Sequence, residues 1–158
     1  MSAELAPCPW PIEALLPHAP PMILLDEVMG VDSESVAAVV TIRPDHPFIA
    51  VEGVPVQVGI ELMAQVCGAY AGANALAAGE AVKLGFLLGT RRFQAYDDWL
   101  RRGDRLEVRA KLSFRDEEMG VFDCRIERRG DLVAEAQLSV FQPKDPDAIV
   151  AKLRGGNV

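Results

Sequence analysis

The chain has 158 residues, half of them apolar and a quarter charged, which is the balance of an ordinary globular protein. Its net charge of -7 argues against binding to nucleic acid or to an anionic membrane surface. We expect one domain over residues 1–158, with its core at about residues 12–141. The three cysteines indicate no disulfide, and the two histidines, without a Cys/His cluster, indicate no zinc site. The proline-rich N-terminus does not resemble a signal peptide, so we expect a cytoplasmic location.

The first part of the chain predicts an arm, one helical turn and a hairpin. Prolines interrupt the first eleven residues, and two apolar runs are separated by a short turn that contains Gly, Asp and Ser. A proline-containing loop then leads to a long apolar segment. The predicted elements are an arm (1–11), a helical turn (12–16), two strands (22–28 and 35–42) and a loop (43–54).

The apolar segment Pro55–Gly79 is long enough for about six turns of helix. It is apolar nearly all round, so we expect a helix that is buried nearly all round. Its only carboxylate is Glu61, which shares a helix face with Gln57 and Gln65. A carboxylate there must be paired, hydrogen-bonded or protonated. Two interpretations stay open: a structural ion pair with an arginine, or an acid/base group with a perturbed pKa.

The second half of the chain alternates apolar and polar residues, which is typical of half-buried antiparallel strands. Four strands are predicted to form a meander, with bulges at Gly85 and Gly89. Together with the hairpin they make a six-stranded antiparallel sheet curled around the helix, an α+β fold whose open edge favours a dimer. The predicted elements are strands at 82–94, 104–117, 119–129 and 132–141, a connection at 96–103 that can hold a helical turn, and a helical piece at 148–153.

Three stretches resemble the bacterial 3-hydroxyacyl-[acyl carrier protein] dehydratases, a hotdog-fold family. Residues 15–28 (LLPHAPPMILLDEV) resemble the family's N-terminal signature LPHR-P-LL-D-V. His46-Pro47-Phe48, then Pro55 and residues 59–65 (GIELMAQ), resemble its segment GHFPG-P--PGV---EAMAQ. Residues 84–93 (LGFLLGTRRF), with Gly103-Asp104 downstream, look like its strand F-GI-KARF---V-PGD-L. The HPF loop and the longer His46–Glu61 spacing depart from this segment. Residues 54–65 (VPVQVGIELMAQ) are closer to divergent dehydratase-like proteins of aryl-polyene clusters, which can pair with a second hotdog protein.

The resemblance implies a hotdog dimer that eliminates water from a 3-hydroxyacyl thioester to give a trans-2-enoyl thioester, in fatty-acid or polyene-type biosynthesis. It implies that Glu61 of one protomer and His46 of the other form the acid/base pair, with His18 as the alternative histidine. No cofactor or metal is implied, because acyl carrier protein or CoA carries the substrate on phosphopantetheine. The predicted substrate-binding residues are Pro55, Gly59 and Gln65, and the predicted carrier-docking residues are Arg91 and Arg92.

Two other functions remain open on the sequence. Other hotdog enzymes are thioesterases, in which a helix carboxylate directs water at the thioester carbonyl. The chain can also be a non-catalytic subunit of a hotdog heterodimer, or an acyl-binding module. Glu61 favours an enzyme, and the altered HPF loop favours a non-catalytic role.

Overall fold

A computed structural model describes residues 5–18, 21–83 and 85–143. Two helices and eight strands lie in these ranges, and they confirm the predicted α+β fold. In chain order they are α1 (Ile12–Leu15), β1 (Glu27–Val31), β2 (Ser35–Thr41), β3 (Gly53–Pro55), a 3₁₀ turn (Val56–Val58), α2 (Gly59–Ala77), β4 (Phe86–Ala95), β5 (Trp99–Arg101), β6 (Arg105–Asp116), β7 (Met119–Arg128) and β8 (Asp131–Phe141).

The main sheet has six antiparallel strands in the order β1-β2-β6-β7-β8-β4. A separate two-stranded ladder pairs β3 with β5. Strand β6 shows why the sheet has a core face, since Leu106, Val108 and Ala110 are buried while the residues between them are half-buried. This alternation is the one that the sequence predicts for a sheet with one covered face.

Helix α2 packs against the inner face of this sheet, and α1 and β1 also contact it. Leu62, Met63 and Val66 are fully buried, and no residue from Gly59 to Leu76 is exposed. The prediction of a helix buried on nearly all sides is therefore confirmed. One lengthwise stripe, which includes Glu61, is only half-buried, and it is this stripe that faces open space.

The N-terminal segment crosses α2 at two glycines. A Cβ atom on Gly72 would collide with the backbone carbonyl of Leu15, so only glycine allows the chain to pass so close. A Cβ atom on Gly68 would lie 3.2 Å from the Leu16 side chain. Beyond this crossing, His18 lies beside Glu61 in the first turn of α2.

Several predicted elements differ from the structure. The strand expected at 22–28 begins only at Glu27, because the backbone of Met22 and Leu24 bonds to the Gln65 side chain instead of to a strand. The loop expected at 43–54 ends in the short strand β3. The helix begins at Gly59 rather than Pro55, since a 3₁₀ turn precedes it.

The connection at 96–103 contains strand β5 and no helical turn, because its backbone pairs with β3. The four-strand meander is wrong for its first strand: β4 pairs with β8, and only β6, β7 and β8 are consecutive neighbours. After β4 the chain passes through β5 and enters β6, which lies away from β4 in the sheet and pairs with β2. A register shift between Leu87 and Gly89 agrees with the predicted bulge at Gly89. The bulge predicted at Gly85 is wrong, because β4 begins only at Phe86. The helical piece predicted at 148–153 lies outside the described residues.

Strand β4, ten residues long, forms one edge of the main sheet, and no strand of the described residues pairs with its outer side. Leu87 and Leu88 on this strand are exposed apolar side chains. Among the described residues, no helix combines the length and the apolarity that crossing a membrane requires.

Candidate active site

A cavity of about 390 Å³ lies beside the half-buried stripe of α2. From the helix, Glu61, Ala64, Gly68 and Ala71 line it. These positions follow a three- and four-residue spacing, so they form one face of the helix. The small side chains of Ala64, Gly68 and Ala71 leave room for the cavity, and Glu61 is the acidic group in the first turn of this helix.

Glu61 is half-exposed in this cavity, with 39% of its side chain accessible. No arginine lies within ion-pair distance of it among the described residues, where its two polar neighbours are His18 and Gln65. The interpretation of Glu61 as one half of a structural arginine pair therefore has no support in this structure. A carboxylate that opens on a cavity has the access that acid/base chemistry requires.

His18 lies next to Glu61, with 3.8 Å between its Nε2 and the Oε1 of the carboxylate. His18 also lines the cavity, and 36% of its side chain is accessible. The chain before it is fixed by the close crossing of Leu15 over Gly72. The chain after it is fixed where Met22 and Leu24 bond to Gln65. Anchors on both sides thus keep the imidazole beside the carboxylate.

Gln65 is buried, and its hydrogen bonds connect Glu61 to the backbone of the segment that follows His18. Its Oε1 accepts a hydrogen bond from the Leu24 N–H at 2.9 Å, and its Nε2 donates to the Met22 carbonyl at 2.6 Å. Nε2 also donates to Oε1 of Glu61 at 3.1 Å. Both N–H bonds of the amide are therefore used by protein groups. Gln65 lines the cavity, but its hydrogen bonds orient Glu61 and the His18 segment.

His46 lies in different surroundings, beside a second cavity of about 220 Å³ lined also by Leu24, Asp26 and Arg43. It is buried, with 9% of the residue accessible. Its Nδ1 accepts the Phe48 backbone N–H at 3.1 Å, so the neutral ring carries its proton on Nε2. That Nε2 is buried without a hydrogen-bond partner among the described residues. Burial lowers the pKa of His46, and the nearby charge of Asp45 partly offsets this.

The far part of the large cavity is formed by aromatic and sulfur-containing side chains. Tyr70 donates a hydrogen bond to the Ser33 carbonyl at 2.5 Å and packs edge-on against Phe122, with ring centroids 5.3 Å apart. Burial raises the pKa of Tyr70. Cys67 lies in the same wall, and its Sγ is 3.7 Å from that of Cys124. This end of the cavity suits apolar atoms.

Comparison with known proteins identifies the family. The family model of the ApeP-like proteins, described as ApeP dehydratase, matches residues 10–151. The chain belongs to the ApeP-like dehydratase family. It is also 30% identical to one chain of the solved dehydratase heterocomplex ApeI:P from Xenorhabdus doucetiae, with a TM-score of 0.83 over 90% of this chain and 97% of that chain. No curated protein sequence matches the chain.

More distant solved structures agree with this ApeP-like chain in fold alone. A hypothetical thioesterase with coenzyme A from Streptococcus pneumoniae TIGR4 is 14% identical, with a TM-score of 0.60 over 74% of this chain and 84% of that chain. The PaaI protein of the E. coli phenylacetic acid degradation operon is 13% identical, with a TM-score of 0.58 over 72% and 80%. The predicted hotdog fold and the resemblance to the dehydratases are confirmed, while the predicted dimer stays a prediction.

The other predicted site residues of this ApeP-like protein lie away from the large cavity. Gly59 is buried at the start of α2, where a Cβ atom would lie 2.8 Å from the Ile126 side chain. Pro55 belongs to β3, and neither residue lines the cavity. Arg91 and Arg92 are exposed on the edge strand β4 and do not line it either. Their predicted roles in substrate binding and carrier docking stay predictions.

Sequence reasoning missed two basic residues that do line the cavity, Lys83 and Arg115. Lys83 follows the helix in a connection, and its carbonyl accepts a hydrogen bond from the Gln142 side chain at 3.1 Å. Arg115 lies near the end of β6. The pairing of β8 with both β4 and the β6–β7 hairpin brings these distant segments together, so no local pattern in the sequence reveals them.

Proposed function

We propose that this protein dehydrates a 3-hydroxyacyl thioester to a trans-2-enoyl thioester, in the cavity beside Glu61. The observation that carries the proposal is a carboxylate that opens on a cavity, next to an imidazole, on an otherwise apolar helix. Membership of the ApeP-like dehydratase family supports the reaction class. The name of the Xenorhabdus relative supports the same class. A chain of fatty-acid or polyene type is the proposed acyl group.

The reaction requires one group that takes a proton and one that gives a proton. A base removes the C2 proton, the electron pair forms the C2–C3 double bond, and the C3–oxygen bond breaks as the hydroxyl takes a proton and leaves as water. Imidazole suits the removal of the C2 proton because it titrates near neutrality. A carboxyl group suits the delivery of a proton to the leaving oxygen. The proton then returns from the imidazole to the carboxyl.

Within one chain, His18 is the imidazole that the geometry favours. Its Nε2 is 3.8 Å from Oε1 of Glu61, and both groups open on the same cavity. Gln65 donates a hydrogen bond to Oε1 of Glu61, so Oε2 is the oxygen that we expect to meet the substrate hydroxyl. We therefore propose His18 as the base and Glu61 as the acid.

A second arrangement places His46 of one subunit at Glu61 of its partner, as the resemblance implies. The supporting observation is the buried Nε2–H of His46, which has no acceptor among the described residues. A buried donor without a partner costs about 1–3 kcal/mol, so an acceptor outside the described residues is expected. With Nδ1 occupied by the Phe48 N–H, His46 would enter this site as a hydrogen-bond donor rather than as a base.

A second hotdog subunit is the proposed partner for this arrangement. The open edge of β4, with Leu87 and Leu88 exposed, can extend its sheet across a two-fold axis. The Xenorhabdus relative is named as a heterocomplex, which makes a different hotdog chain as reasonable a partner as a second copy. The substrate is proposed to arrive on acyl carrier protein or CoA. Lys83 and Arg115 at the cavity, or Arg91 and Arg92 on β4, are candidates to meet the phosphate of its carrier arm.

The test is a dehydration assay with 3-hydroxyacyl thioesters of several chain lengths, followed by the absorbance of the conjugated enoyl product. The variants are Glu61→Gln, His18→Gln and His46→Gln, each confirmed as folded by its thermal unfolding. Loss of turnover in Glu61→Gln and His18→Gln, but not in His46→Gln, supports the arrangement within one chain. Loss in Glu61→Gln and His46→Gln only would assign the second arrangement.

Other outcomes of the same assay identify other functions. Release of free thiol without enoyl absorbance would mean thioester hydrolysis. No turnover alone, but turnover after addition of a second hotdog subunit, would mean that the active unit is a heterodimer. Unchanged turnover in Glu61→Gln in that heterodimer would make this chain the non-catalytic member.

A further inference from the structure

The loop between β2 and β3 carries His46 and is bonded by a residue that is distant in sequence. Arg102, in the turn after β5, donates from Nε to the Val51 carbonyl at 2.9 Å and from Nη2 to the Ala50 carbonyl at 2.9 Å. Its Nε is also 3.2 Å from the Ala50 carbonyl. Its backbone N–H donates to the Glu52 carbonyl at 3.4 Å. One guanidinium therefore binds two consecutive carbonyls of the loop.

Burial does little to hold the tip of this loop. Val51 is 83% accessible and Phe48 is 42% accessible, whereas Ile49 packs against the core. The other hydrogen bonds of the tip are short-range turns, such as Ile49 N–H to the His46 carbonyl at 3.1 Å and Ala50 N–H to the Gly53 carbonyl at 2.7 Å. Local turns fix the shape of a loop but not its position on the protein. The hydrogen bonds from the Arg102 side chain fix both the shape of the loop and its position on the protein.

We propose that Arg102 is the positioning residue of His46, holding the loop so that the imidazole keeps its buried place and the hydrogen bond from the Phe48 N–H to its Nδ1. The catalytic part of this inference rests on the proposed function in its second arrangement. The guanidinium suits this role because its planar fork reaches two acceptors at once, which a lysine ammonium on a flexible stem does not reproduce.

The neighbouring residue Arg101 provides a matched control. Its guanidinium makes two hydrogen bonds of 3.0 Å to the carboxylate of Asp97 and none to the loop of His46. Both arginines are exposed and belong to the same end of β5. Substitution of either one removes the same charge from nearly the same place. An effect found only for Arg102 therefore comes from its bonds to Ala50 and Val51.

The test uses the full chain, whose two histidines give two separate imidazole signals in NMR. In Arg102→Ala, water reaches the loosened imidazole, so the pKa of His46 should rise toward the ordinary histidine value. His18 should not respond, and Arg101→Ala should move neither signal. The charged groups around His46 are Asp45 and the Asp26–Arg43 ion pair, and neither variant alters them. Arg102→Lys should give an intermediate shift.

Activity provides the second measurement. In the second arrangement, which places His46 at the acid/base site, Arg102→Ala should lower kcat for dehydration about tenfold with little change in KM, since a charge-assisted hydrogen bond contributes on that scale. An unmoved His46 signal in a folded Arg102→Ala or Arg102→Lys variant would overturn the inference. A moved signal with unchanged kcat would overturn the role of His46 in the proposed function and leave the loop assignment standing. Absence of dehydration in the wild type would overturn the proposed function, and the NMR result would still decide on Arg102.

Discussion

His18 and His46 are the two imidazoles of the chain, and the structure holds them in opposite ways. His18 lies open beside Glu61 in a cavity of about 390 Å³, and it depends on neighbouring backbone for its position. His46 is buried in a loop, where its Nδ1 accepts the Phe48 N–H and its Nε2 has no acceptor within the part of the chain that the structure describes. In the proposed function, His18 exchanges a proton with the substrate, whereas the only nitrogen of His46 not already bonded to Phe48 is a hydrogen-bond donor.

The difference shows that proximity to proline-rich sequence does not decide the role of a histidine. Both residues lie next to prolines, and both match a motif of the family. What separates them is the direction in which their nitrogens face. An exposed nitrogen near a carboxylate favours proton transfer, while a buried N–H without an acceptor requires a hydrogen-bond acceptor from another group.

Glu61→Gln is the change with the largest expected effect on this comparison. We expect kcat/KM for 3-hydroxyacyl thioester dehydration to fall about 10²–10⁴-fold, the range for removal of a general acid or base. Glu118→Gln is the matched control, because Glu118 lines the same cavity without contacting His18 or Gln65. Equal losses in both variants would mean that the cavity needs negative charge rather than an acid at position 61.

Gly72→Ala disturbs the segment that positions His18 and leaves the loop of His46 unchanged. The added Cβ collides with the Leu15 backbone, so the free energy of unfolding should fall by about 1–3 kcal/mol, as in other overpacked cores. Gly68→Ala is milder, because its Cβ meets only the flexible end of Leu16 and alanine favours helix by up to about 1 kcal/mol. Chemical denaturation measures both. A Gly72→Ala variant as stable as the wild type would contradict the close crossing.

Gln65→Met tests how the two sides of the His18 site are joined. Methionine keeps the volume but leaves the Leu24 N–H and the Met22 carbonyl without partners, so we expect a loss of about 1–3 kcal/mol. The imidazole signal of His18 should change in NMR as its segment loosens. Asn74→Leu is the comparison, since Asn74 bonds backbone carbonyls of the same helix and of Asp32 without touching Glu61. Retention of the native His18 signal in Gln65→Met would show that Gln65 is not the anchor.

The smallest effect expected is a pH dependence of stability that comes from His46. Burial lowers its folded-state pKa, so the unfolded chain binds more protons as pH falls below the ordinary histidine range. The contribution of His46 is therefore complete above that range and is lost as pH falls toward the folded-state pKa. Denaturation at a series of pH values should show this loss in the wild type and not in His46→Gln. Identical pH profiles would contradict the burial of the imidazole.

The sequence predicted much of this fold because its patterns are local. The apolar run around Glu61 predicted α2, and alternation predicted β6, β7 and β8. The place of β4 beside β8 was missed, since strand order depends on pairing between distant segments. The strand expected at Met22 was missed because a glutamine on another element takes its backbone bonds.

The candidate site was predictable only in part. Glu61 is visible in the sequence as one acid in an apolar helix, and the motif points to both histidines. The nearness of His18 depends on Gly72 and Gln65, which a helix pattern does not connect to an N-terminal segment. Lys83 and Arg115 reach the cavity through the pairing of strands that are distant in sequence. The bonds of Arg102 to the Ala50 and Val51 carbonyls span 52 and 51 residues of chain.

The sulfur atoms in the cavity wall have a consequence for the proposed product. A conjugated enoyl thioester is an electrophile, and it is the deprotonated form of cysteine that attacks electrophiles. Cys67 lines the cavity, yet burial and the nearby Cys124 raise the pKa of its thiol well above the ordinary value. The sulfur therefore stays protonated, and an unsaturated acyl chain can form beside it without alkylating the protein.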